Sequence, residues 1–109
     1  MTDKIVVLVT CGSKKEAERL ASAVVEAKLA ACVNILSAPV QSVYRWKGRV
    51  ERAKEFLLVI KSTQEKFAAL KREIEKRHSY DTPEIIALQI AAGARDYLKW
   101  IAESTTKKS

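Results

Sequence analysis

Cysteine, glycine, proline and histidine are all scarce in this chain. Two cysteines in 109 residues, Cys11 and Cys32, are too few for the disulfide lattice of small secreted folds. Three glycines and two prolines exclude collagen-like and low-complexity sequence. With one histidine, His78, any nucleophile–imidazole relay must run through that residue, and no HxH, CxxC or HExxH spacing exists. A lone Gly12 in Thr10-Cys11-Gly12-Ser13 falls far short of a glycine-rich phosphate loop. No apolar run approaches the ~20 residues of a membrane span. Met1–Lys4 leads directly into Ile5–Val9 without the basic start or cleavage site of a signal peptide. These absences predict a cytoplasmic protein with reduced thiols, no membrane segment and no catalytic turnover.

What is present is a folding composition. The chain is 48% hydrophobic and 30% charged, which suits one domain over residues 1–109, with an ordered core of about 4–103 and a polar, frayed tail over 104–109. Twenty Lys and Arg against thirteen Asp and Glu give +7. Residues 45–77 hold eleven of the basic and five of the acidic side chains, so this middle third carries +6 of the excess. The glutamates are interspersed at helical spacing, the pattern of a solvated helix face rather than a phosphate-binding stripe.

Hydrophobic periodicity orders the elements. Ile5–Val9 is a continuous β-branched run, the mark of a strand buried on both faces. Ser13 with Glu16 has capping-box spacing, and Ala17, Leu20, Ala21, Val24 and Val25 give Lys14–Leu29 an apolar helical stripe. A second β segment starts near Ala31, is interrupted at Pro39, and resumes as Val40–Trp46. Lys47-Gly48 is a two-residue hairpin turn. The return strand begins at Arg49 and becomes apolar at Phe56–Ile60. Phe67, Leu70 and Ile74 mark the next helix, which ends near Arg77-His78. Glu84–Ile90 reads as the last strand and Ala94–Glu103 as a terminal helix.

The order β-α-β-β-α-β-α predicts an α+β, ferredoxin-like split βαβ fold with its first and third strands central. The hairpin over 31–62 has arms of up to ~15 residues, against a usual strand of about 5–6. Its flanking strands, 4–10 and 84–90, are half as long, so Val43–Glu55 overhangs the sheet. An overhanging ribbon with exposed edges and aromatics calls for a second subunit, and an obligate oligomer is expected.

Candidate chemistry is sparse. His78, at a helix C-terminus, suits the dipole there or serves as a ligand. Cys11, between a strand and a helix N-terminus, is a core thiol or an activated one; Cys32 reads as core. Tyr44 and Trp46 share one ribbon face and, with Arg45, Lys47 and Arg49 around them, suit either base stacking or subunit contacts. Glu84 has Lys61 and Arg77 as candidate ion-pair partners.

Several segments together resemble the CutA divalent-cation tolerance family. They are Leu29–Asn34, Ser42–Gly48, Leu58–Lys61, His78–Leu88 and Tyr97–Ile101, and the match runs in order from about residue 4 to 103. The resemblance implies a compact homotrimer similar in architecture to the PII signalling proteins. It also implies a link to tolerance of copper and other divalent cations. The family's copper site resembles a cysteine near the end of the first strand plus two adjacent histidines. Here Val9 and Arg77 stand at two of those positions, His78 is kept, and Cys11 lies two residues beyond Val9. Ser79 and Gln89 stand where the family usually has proline.

The expected metal ligands are therefore His78 and Cys11, for copper or another divalent cation. The expected inter-subunit cleft is lined by Tyr44, Trp46, Lys61, Tyr80, Glu84 and Trp100, with Cys32 nearby. A PII-like sensor taking an anionic effector through Lys61 is the first alternative, and nucleic-acid binding through the basic, aromatic hairpin is the second.

Overall fold

A computed structural model describes residues 2–106. The chain runs β1 (Lys4–Cys11), α1 (Lys14–Glu26), β2 (Cys32–Ile35), β3 (Val40–Trp46), β4 (Arg49–Thr63), a 3₁₀ turn (Gln64–Lys66), α2 (Phe67–Arg77), β5 (Ile85–Gln89) and α3 (Arg95–Ser104). The antiparallel sheet has the order β2-β4-β1-β5, and β3 also pairs with β4. This is the expected ferredoxin-like topology, with β1 and the long return strand central.

β4 is 15 residues long and changes neighbours along its length. Arg49–Glu55 pairs only with β3, Phe56–Thr63 with β1, and Leu58–Lys61 also with β2. The first half thus projects beyond the sheet as a two-stranded ribbon, in a molecule of 45 × 28 × 24 Å. Its turn is Lys47-Gly48, with φ of 51° and 79°, the two positive angles of a type I′ turn that matches strand twist. The break at Pro39 is real: β2 and β3 are separate strands on one partner.

The core lies between the sheet and α1 and α2. Ile5, Val7, Val9 and Cys11 point into it from β1, Leu58 and Ile60 from β4, and Ala17, Leu20, Val24, Leu70 and Ile74 from the helices. The sequence expectation that Ile5–Val9 is buried on both faces holds for one face only. On the other face Val6 and Leu8 are half-buried, and their β5 neighbours Leu88 and Ile86 are 52% and 48% exposed. A continuous apolar run records two apolar faces, and within one chain only one of them is fully covered.

Three element ends differ from expectation. α1 stops at Glu26 because Lys28 takes φ 60° and the Lys28 and Leu29 N–H groups turn back to the Val25 and Val24 carbonyls, a left-handed helix stop. The capping box is half made: Ser13 Oγ accepts the Glu16 N–H at 3.1 Å, while the Glu16 carboxylate goes to Ser79. The tail is docked further than expected, since Thr105 is buried with its hydroxyl donating to the Ile101 carbonyl at 2.9 Å. The rest of the expected frayed tail, residues 107–109, lies outside the described residues.

Candidate functional site

The segment after α2 is tied down by side chains from three elements. His78 ends α2, its N–H donating to the Ile74 carbonyl at 2.8 Å, and its ring is wholly buried. Nε2 lies 2.8 Å from the Thr10 carbonyl, and Nδ1 accepts the Tyr80 N–H at 3.0 Å. A carbonyl only accepts and an amide N–H only donates, so the contacts fix the tautomer with the proton on Nε2. Both nitrogens are thereby committed to the backbone.

Glu16 holds the next residue. Its carboxylate accepts the Ser79 N–H at 2.7 Å and the Ser79 hydroxyl at 3.1 Å. Burial alone would raise its pKa, but the Ser79 bonds and the Gly12 N–H outweigh that and hold it below the ordinary glutamate value. Tyr80 follows, its ring 4.7 Å from that of His78 and its hydroxyl donating to Glu55 Oε2 at 2.9 Å. A Cβ at residue 12 would stand 3.2 Å from the Tyr80 oxygen, a tight approach that glycine leaves open. Burial, then the bond to Glu55, raises the Tyr80 pKa, so it remains a phenol donor.

Beside this clamp opens a cavity of about 530 Å³. Ser42, Tyr44 and Trp46 line it from β3, Glu55 from β4, Thr10 from β1, and Tyr80, Asp81, Thr82 and Glu84 from the loop. Three carboxylates and three large aromatics therefore face it, and among the described residues no Lys or Arg does. The strand register explains the composition. Tyr44 opposes Glu51, and Val40 opposes Glu55, on one ribbon face, whereas Arg52, Lys54 and Arg45 lie on the other with Val43, Gln41 and Val50. The basic and aromatic residues that alternate in sequence are thus separated in space, apart from Arg49 and Lys47 at the tip.

Residues 5–104 match the family of CutA1 divalent ion tolerance proteins. The divalent-cation tolerance protein CutA of Thermus thermophilus is 47% identical over 100 residues, covering 92% of this chain and 96% of its own. The chain belongs to the CutA1 divalent ion tolerance family. The solved CutA of Archaeoglobus fulgidus, described as a periplasmic divalent cation tolerance protein, superposes with a TM-score of 0.91 at 42% identity, covering 94% of this chain and 99% of that one. Rice CutA1 gives 0.91 at 43% identity, covering 96% and 95%.

Within this CutA1 fold the expected site residues fall into three places. Tyr44, Trp46, Tyr80 and Glu84 meet at the cavity. Lys61 and Cys32 are paired neighbours on β4 and β2, opposite Val6 on the sheet's open face. There Lys61 Nζ donates to Asn34, Tyr97 of α3 contacts Cys32, and Trp100 stacks near Tyr97 at 5.4 Å. Glu84 pairs with neither Lys61 nor Arg77, since Arg77 pairs with Glu73 along α2.

The expected metal ligands, His78 and Cys11, both lie inside the fold. The two lone pairs or protons of His78 are spent on Thr10 and Tyr80. Cys11 is fully buried, and burial, reinforced by Glu16 and Glu55, pushes its thiol up to about 12, so it is held protonated in the core. Among the described residues no three His, Cys, Asp or Glu side chains are grouped to hold an ion.

Sequence reasoning missed Glu16 and Glu55 as members of the site. Glu16 carried a sufficient local explanation as a helix cap. Glu55 had a usable signal: it is the last charged residue before the apolar run Phe56–Ile60, the point where the ribbon leaves the sheet.

Proposed function

We propose that this chain works in the cytosol as a homotrimer of the divalent-cation tolerance family, binding its ligand without catalytic turnover. The observation that carries the reading is the open sheet face. Leu88 and Ile86 are about half exposed there, and Val43 and Val50 of the ribbon are 59% and 52% exposed. An apolar sheet face beside an unpaired ribbon is covered in water by another copy. The number three comes from the family resemblance. Two unpaired thiols suit a reducing compartment. Catalysis is disfavoured because His78 is consumed by backbone bonds and Cys11 is held as a thiol.

The residues of one chain do not fit a copper centre, for the reasons given by His78 and Cys11. Any divalent ion held by the particle therefore draws donors from more than one copy. The anionic-effector alternative loses support because Lys61 lies on the sheet face and carboxylates line the cavity. Nucleic-acid binding loses support because Glu51 and Glu55 share the aromatic face.

Light scattering on the purified protein tests the assembly. The expected mass is three times the 12.2 kDa chain, and Leu88→Lys is expected to give monomers. A monomeric wild type overturns the reading. Dialysis against Cu²⁺ and Zn²⁺ should show any binding lost with assembly in Leu88→Lys. One ion per chain retained by the monomer would contradict ion sharing.

A further inference from the structure

We infer that the outer edge of β5 pairs, strand to strand, with the outer edge of β3 in a second copy, and that the Gln89 N–H is one of the donors across that joint. The contact rests on the trimer proposed above and names the two surfaces that make it.

Hydrogen-bond parity identifies the free edges. In an antiparallel strand the N–H and C=O of one residue point to the same side, and successive residues alternate sides. The Ile90 N–H donates to the Lys4 carbonyl at 2.9 Å and the Ile90 carbonyl accepts from Thr2 at 3.3 Å, continuing the register in which Ile5 opposes Gln89. Ile86, Leu88 and Ile90 therefore face β1, and Ile85, Ala87 and Gln89 face away from it. β5 ends the sheet, so these three residues present their backbone groups with no strand of the same chain beside them. A proline at 89 would lack the outward donor; glutamine keeps it. β5 also carries none of the lysines or bulges that blunt an exposed edge.

The ribbon offers the matching edges. Trp46 and Arg49 flank the two-residue turn and oppose each other, so they exchange backbone bonds. Counting back from that pair, Ser42 and Tyr44 face β4, while Gln41, Val43 and Arg45 face outward. On the distal half of β4 the outward residues are Val50, Arg52 and Lys54. When two antiparallel edges join, outward residues oppose outward residues, and the residues between them oppose each other. Against β3, Ile86 and Leu88 meet Ser42, Tyr44 and their neighbours Val40 and Trp46. Against β4 they meet Glu51 and Ala53, flanked by Arg49 and Glu55. Aliphatic–aromatic cross-strand pairs are stabilising, which selects β3.

Face and symmetry agree with that choice. Tyr44 opposes Glu51, and Lys61, ten residues along the same strand, opposes Val6. The aromatic ribbon face is thus continuous with the open sheet face, and joining β3 to β5 keeps Ile86 and Leu88 on that same face. Pairing of β5 with a second β5 would be isologous and close as a two-fold dimer, whereas β5 on β3 is heterologous and can close a ring of three.

Light scattering reads the particle mass, and hydrogen exchange then reads the edges. In the assembled wild type the Ala87, Gln89 and Val43 amides should exchange at least about ten-fold more slowly than in the Leu88→Lys monomer. Gln89→Pro removes the outward donor, while Gln89→Ala keeps it and loses only the side-chain bond to the Thr2 carbonyl at 3.0 Å. In urea that half-dissociates the wild type, Gln89→Pro should move the assembly midpoint to about ten-fold higher protein concentration. Gln89→Ala should move it far less, and Val43→Pro, the corresponding change on β3, should act as Gln89→Pro does. In the Leu88→Lys background Gln89→Pro and Gln89→Ala should unfold at the same urea concentration; if the proline lowers that midpoint, exchange in the wild type decides.

Ala87 and Gln89 amides that exchange freely in an assembled particle overturn the contact and leave the trimer standing. Equal assembly of Gln89→Pro and Gln89→Ala does the same. Assembly weakened by Gln89→Pro but not by Val43→Pro also overturns it, because the partner edge is then not β3. A monomeric wild type removes the trimer and this contact together.

Discussion

The two halves of β4 are one strand with two different fates. From Phe56 to Thr63 it has β1 on one side and, over Leu58–Lys61, β2 on the other, and Leu58 and Ile60 are about 1% exposed. From Arg49 to Glu55 it has β3 alone, and Val50 is 52% exposed. Backbone geometry is continuous across the joint, so the difference comes from neighbours. The proximal half is specified by packing and the distal half by its turn and its charges. The candidate cavity lies where the two regimes meet, at Glu55, because only there does a ribbon carboxylate come under the sheet's cover.

The strongest way to break this comparison is to truncate one apolar side chain in each half. Leu58→Ala removes a fully enclosed side chain and should cost about 2–5 kcal/mol in denaturant unfolding. Val50→Ala should cost under about 1 kcal/mol, as exposed positions do, and its cost should grow on dilution if the ribbon is covered by a second copy. Equal costs independent of protein concentration would show that the ribbon is packed within its own chain.

The next largest effect concerns the clamp at the joint. Glu16 has its pKa held below the ordinary value, so the folded state binds its proton more weakly than the unfolded state does. Its contribution is fully present above the unfolded pKa of about 4.3 and is lost as pH falls through the lower folded value. Glu16→Gln should cost about 1–2 kcal/mol at pH 7, since charge-assisted bonds to Ser79 become neutral ones. The variant should also show a shallower loss of stability below about pH 4.5. A pH profile parallel to that of wild type would remove Glu16 as the group responsible.

The fold was legible because its signals were redundant. β1, the core half of β4, and the stripes of α1 and α2 each combined periodicity with a cap or turn, and the length of the hairpin against its neighbours exposed the overhang. The site was less legible for two physical reasons. A side chain can satisfy a local rule and still act at a distance: Glu16 sits at a capping-box position, yet its carboxylate binds Ser79, 63 residues away. Spacing along a strand also conceals which face a charge occupies. Arg45, Lys47 and Arg49 around Tyr44 and Trp46 read as a basic aromatic surface, until the pairing of Tyr44 with Glu51 and Val43 with Arg52 placed acid with the rings and base behind them. The bonding of His78 was hidden for a related reason. Sequence gives the imidazole but not the carbonyl of Thr10, which is 68 residues away and claims its proton.

The smallest effect lies at the far end of the distal half. If that half is specified by its turn, the turn residues should set its stability more than its exposed side chains do. Lys47 takes φ 51° at the first central position of the type I′ turn, a conformation that asparagine and aspartate tolerate better than lysine. Lys47→Asn should therefore stabilise the ribbon by about 0.5–1 kcal/mol, although it removes the ammonium that lies 5.9 Å from the Trp46 ring centroid. The gain should appear as slower hydrogen exchange at the ribbon amides, with no change at Leu58 or Ile60. Faster exchange in the ribbon would mean that the contact between Lys47 and Trp46 outweighs the turn strain. The distal half would then depend on side-chain packing after all, and the contrast between the two halves of β4 would narrow to a difference of degree.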